Sequence, residues 1–132
     1  MKTLSWKIFL VLPILIISCQ SQKNNDELYD EVMKIHDEVM PKMNDMHKLK
    51  LALKNEMDST SDLTEARKAE IETAILKLDS ASEGMMGWMR QFDPIPDSES
   101  VDKAREYLEK EKEKVAKVRD DIYEALKQAQ DK

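Results

Sequence analysis

Residues 101–129, VDKAREYLEKEKEKVAKVRDDIYEALKQA, decide the fold class. Apolar side chains return at Val101, Ala104, Leu108, Val115, Val118, Ile122, Ala125 and Ala129 in steps of three and four, and Glu111 is the one charged residue on that seam. Such spacing puts them all on one face of an α-helix. The intervening run Glu109-Lys110-Glu111-Lys112-Glu113-Lys114 alternates in sign, as a wet helix surface does.

Moving toward the N-terminus, Asp93-Pro94-Ile95-Pro96-Asp97-Ser98 cannot continue a helix, because proline lacks an amide hydrogen and restricts the residue before it. Ahead of it a second seam runs Ile71, Ala74, Leu78, Ala81, Met85, Trp88, Phe92. The cluster Asp58-Ser59-Thr60-Ser61-Asp62 offers helix caps, with Asp62 and Glu65 spaced as a capping box. A third seam, Leu28, Val32, Ile35, Val39, Met46, Leu49, Leu53, is interrupted at Lys42. The reading is all-α: helices over 26–57, 62–92 and 98–130, each about 45 Å long. Short connections between equal helices predict an antiparallel up-down-up, coiled-coil-like bundle. Pro41 removes a backbone bond inside the first helix and predicts a kink there. With the first and third helices parallel, Lys42 and Glu111 are expected at one level, either paired to fix register or both reaching outward to water.

Composition agrees. Of 132 residues 36% are charged and 5% aromatic, with two Gly, four Pro and one Cys. That excludes Gly-rich phosphate loops, an internal disulfide framework and Cys-cluster metal centres. No nucleophile stands near a His at a known spacing, so the expectation is a protein that is not an enzyme.

The first 19 residues, MKTLSWKIFLVLPILIISC, carry Lys2 and Lys7 and then an apolar run to Ile17. The run is too short for a membrane span and suits a signal peptide. Its end, Ile16-Ile17-Ser18-Cys19, resembles the lipobox of bacterial lipoproteins. The resemblance implies a signal peptide over 1–18, cleavage before Cys19, and acylation of Cys19 with palmitate-class chains. Residues 19–25 then form the modified Cys and a polar tether, and 26–132 the bundle. It further implies attachment to the Gram-negative cell envelope, on the outer membrane facing the periplasm or the cell surface. An ordinary signal peptide or short anchor with a stray Cys is the alternative. Removing 1–18 takes Lys2 and Lys7, so 21 basic residues fall to 19 against 27 acidic ones. A net charge of about −8 argues against nucleic acid as a partner.

One constellation could carry chemistry. Beside the first seam runs a stripe of Met33, His36, Met40, Met43 and His47, again spaced three and four. In an antiparallel hairpin the end of the second helix, with Met85, Met86, Trp88 and Met89, comes beside Met33 and His36, and Tyr107 lies at that level. Thioether and imidazole ligands select Cu(I) over harder ions. The candidate ligands are Met33, His36, Met40, Met85, Met86 and Met89, with Trp88 capping the cation through its π face. In chemistry alone this set resembles small periplasmic copper chaperones, which are β-barrels, so no fold or residue correspondence follows. The other readings are that Met widens the apolar arc as ordinary packing, or forms a groove for a protein partner or a second copy. The helical, Met- and Glu/Lys-rich part also resembles small bacterial lipoproteins, some labelled viral A-type inclusion protein; that resemblance implies no activity.

Overall fold

The computed structural model describes residues 24–94 and 100–131. The signal segment, Cys19, the start of the tether and the 95–98 part of the proline turn lie outside the described residues. Three helices follow one another: α1 (Asn25–Ser59), α2 (Glu65–Gln91) and α3 (Val101–Gln130), of 35, 27 and 30 residues. Each packs on both others, and no strand occurs among the described residues.

Every helix starts on a capping side chain. Asn24 Oδ1 accepts from the Glu27 amide at 2.7 Å, Thr64 Oγ1 from Arg67 at 3.2 Å, and Ser100 Oγ from Lys103 at 3.4 Å. The expected starts at Asp62 and residue 98 therefore each move three residues onward, to Glu65 and Val101. In a run offering several caps, local chemistry cannot select one. Here Leu63 packs against the core, and the Arg67 guanidinium grips Glu56 through two bonds of 2.8 and 2.9 Å, so α2 begins where both are met. That fork holds the Glu56 carboxyl below its ordinary range and raises the Arg67 guanidinium. α1 runs unbroken through Pro41, which sits on the exposed side, where water can serve the carbonyl that proline leaves without a donor.

The core repeats every seven residues. Val32, Val39, Met46 and Leu53 come from α1; Ile71, Leu78 and Met85, with Ala74, Ala81 and Trp88, come from α2. α3 supplies Leu108, Val115, Ile122 and Ala129, with Ala104, Glu111 and Ala125. Two predicted details fail at the edges. Val101 opens the third seam yet is 66% exposed, because it is the first residue of α3 at the end of the bundle. Leu126 lies off the seam yet is buried, since a helix wedged between two neighbours needs a wider apolar arc than two positions in seven.

Polar bonds between helices fix direction and register. Glu56–Arg67, Lys50–Asp79 and His36–Met89 run antiparallel between α1 and α2. Lys77–Gln128 and Asp93–Tyr107 do the same between α2 and α3. Asn25–Val101, Glu31–Lys112 and Glu38–Tyr123 run parallel between α1 and α3. The topology is up-down-up.

That register overturns the expected Lys42–Glu111 level. Glu111 lies opposite the region of Glu31, whereas Lys42 lines a shallow cavity with Tyr123, Leu126 and Lys127. The two are about 12 residues, or about 18 Å, apart along the axis. Lys42 is half-exposed and bonds Asp45 on its own helix, while Glu111 is buried. The hydrophobic pattern is the same in each heptad, so it permits shifts by whole heptads; the cross-helix bonds select one.

Core and surface positions should separate cleanly in urea denaturation. Ile122→Ala, at a fully buried site, is expected to cost about 2–5 kcal/mol. Leu76→Ala, at a site 69% exposed, should change stability by no more than about 0.5 kcal/mol.

Candidate functional site

One end of the bundle gathers the start of α1, the end of α2 and the start of α3. Trp88 and Phe92, four residues apart on one face of α2, stack with centroids 4.7 Å apart. Phe92 also meets Tyr29 of α1 at 6.2 Å and Tyr107 of α3 at 6.3 Å, so one ring joins all three helices. The Tyr107 hydroxyl accepts the Asp93 amide at 2.8 Å, satisfying the backbone as it leaves α2. Burial pushes the Tyr107 phenol above its ordinary value, against the opposing pull of that amide.

Beneath this stack lies the core's one charged side chain among the described residues. Glu111 is 3% exposed; its Oε2 accepts the Trp88 indole N–H at 2.9 Å, and its Oε1 accepts Lys114 Nζ at 2.6 Å. The carboxylate in turn raises the Lys114 ammonium. A buried indole needs an acceptor and a buried carboxylate needs donors, and here each supplies the other.

The α1–α2 side of the same end holds the candidate ligands. His36 Nε2 sits 3.4 Å from Met89 Sδ, and its Nδ1 sits 2.9 Å from Asp37 Oδ1. The His36 ring lies 5.9 Å from Trp88, tilted by 38°. The expected approach of helix 2 to Met33 and His36 is what the register produces, and Tyr107 is at that level. The full ligand set does not assemble. Met85 is fully buried in the core, Met40 packs against the core, and Met86 is 41% exposed. Adjacent residues on a helix point about 100° apart, so Met85 and Met86 cannot face one point. Met33 is half-buried, one turn before His36 on its face. His47 is exposed and lines, with Met43 and Met46, a separate cavity of about 50 Å³. Trp88 gives its N–H to Glu111, so its position is set by α3. Among the described residues no three His, Cys, Asp or Glu side chains converge as ligands for a metal ion.

Two partners escaped sequence reading. Asp37, an exposed residue adjacent to His36 in the chain, bonds the ring's Nδ1. Glu111 was weighed against Lys42 and not against Trp88, although an indole and a carboxylate at core positions of neighbouring antiparallel helices were a findable signal. Compared with known proteins, the chain matches no family model, no curated protein and no solved structure.

Glu111→Leu should lower stability by about 1–3 kcal/mol, because it strands the indole N–H. Glu111→Gln, which keeps an acceptor, should cost less, and Trp88→Phe combined with Glu111→Leu should recover part of the loss in a urea double-mutant cycle. The raised Tyr107 phenol adds stability below its unfolded value of 10.0, and that part is lost as pH rises through the higher folded value. Tyr123, raised by its bond to the Glu38 carboxylate, titrates in the same direction. Urea midpoints above pH 10 should therefore fall less steeply in Tyr107→Phe than in the unaltered chain.

Proposed function

We propose that this chain is a lipid-anchored, non-enzymatic protein of the bacterial cell envelope with a binding or structural role. The observation that carries the reading is the order of basic residues, short apolar run and Ile-Ile-Ser-Cys box, placed six residues ahead of α1. Six residues reach no further than about 22 Å. The tether therefore keeps the aromatic end of the bundle, where α1 begins, at the membrane. No helix among the described residues is long and apolar enough to cross a membrane, so acyl chains at Cys19 would have to hold the protein there.

The described chemistry favours binding over catalysis. The two nitrogens of His36 face a carboxylate and a thioether, and no hydroxyl is bonded to either histidine among the described residues. A second reading, docking of a protein partner or a second copy, is favoured by Leu76. This residue is 69% exposed and lines an open groove of about 470 Å³ with Met57 and Ile75 at the far end of the bundle.

Cys19→Ala tests the anchor. The unaltered chain should incorporate labelled palmitate and partition with membranes as the cleaved form. The variant should take up no label and persist as the uncleaved precursor. Equal labelling of both would overturn the reading.

A further inference from the structure

Both ring nitrogens of His36 have a partner, and the two partners differ in kind. Asp37 Oδ1, 2.9 Å from Nδ1, is a carboxylate oxygen and only accepts, so Nδ1 carries the ring proton. In the neutral imidazole Nε2 then presents a lone pair, and what it faces at 3.4 Å is the Met89 thioether, itself a lone-pair donor. A doubly protonated ring donates from Nε2 to that sulfur; in the neutral ring the two atoms face each other as electron-pair donors, an arrangement that a soft cation can bridge.

We infer that His36 Nε2 and Met89 Sδ are two ligands of a site for one soft monovalent ion of the Cu(I) class. Thioether sulfur selects soft ions and is a poor ligand for Mg²⁺ or Ca²⁺. The geometry suits coordination. With metal–nitrogen and metal–sulfur bonds of about 2.0 and 2.3 Å, a 3.4 Å separation subtends an angle of about 104° at the metal, close to tetrahedral. A carboxylate on the far nitrogen is the usual outer partner of a metal-bound histidine; it fixes the tautomer and raises the basicity of the ligating nitrogen, and Asp37 does this here. Met33, one turn before His36 and half-buried, is within the sweep of a flexible side chain to add a third ligand. Trp88, locked by Glu111, walls the site on its inner side and restricts access of water. Met40, Met85 and Met86 are not ligands.

The site deepens the proposed binding role and does not depend on the lipid anchor, which the experiment removes. The full chain carrying Cys19→Ser, which eliminates its one thiol, is purified in detergent and titrated with Ag(I), a redox-inert soft ion, against a competing chelator. One ion should bind per chain, and the Met89 methyl resonance should shift while that of Met86 does not. His36→Gln combined with Met89→Leu should weaken binding by more than about a hundredfold, beyond what loss of an outer partner does. The methionine change nearly conserves volume, so the helical melting curve serves as the check on folding. Equal affinity in the double variant, or a methyl shift at Met86 and not at Met89, would overturn the site.

Discussion

The bond from the Trp88 indole to the Glu111 carboxylate constrains everything around it. A carboxylate placed in a hydrophobic seam is costly to bury unless donors reach it. Sliding α3 by one heptad along α2 would preserve most apolar contacts but would separate indole from carboxylate, leaving both unsatisfied. Lys114 completes the carboxylate from the surface, so the charge is shared with a cation that stays in water. A bundle with repetitive seams thereby acquires one register.

From that register follows the composition of one end. With α2 fixed against α3, Phe92 reaches both Tyr107 and Tyr29, and the end of α2 is tied to the first turns of its two neighbours. With α2 fixed against α1, Met89 falls beside His36. The opposite end is held differently: the Glu56–Arg67 fork closes the hairpin through charge-assisted bonds at a partly exposed position. One end is aromatic and the other ionic, and the chemistry proposed for this protein lies at the aromatic end.

Several of the remaining charges pair at spacing three or four within a helix, as in Lys68–Glu65, Lys110–Glu106 and Lys117–Asp121. Such exposed pairs add little stability each. Lys42, bonded to Asp45 three residues on, belongs to this group. Pro41, beside it, lies on the wet face of a helix that continues through it.

The seams in steps of three and four, the breaks read at residues 58–62 and 93–98, and a content of only two glycines determined by themselves that the chain forms three helices in an up-down-up bundle. Periodicity is a local property, and two short connections leave little topological choice. The sequence also placed the end of helix 2 beside Met33 and His36, because hairpin geometry needs only the position of the turn. Tertiary structure alone decided the rest. It capped α2 with Thr64 in place of the expected Asp62, paired Glu111 with Trp88 in place of Lys42, and exposed Met86 while burying Met85. It also brought His36 to Met89. Each of these depends on axial register and on the rotation of one helix against another, and repeated apolar heptads leave both open until specific polar partners meet.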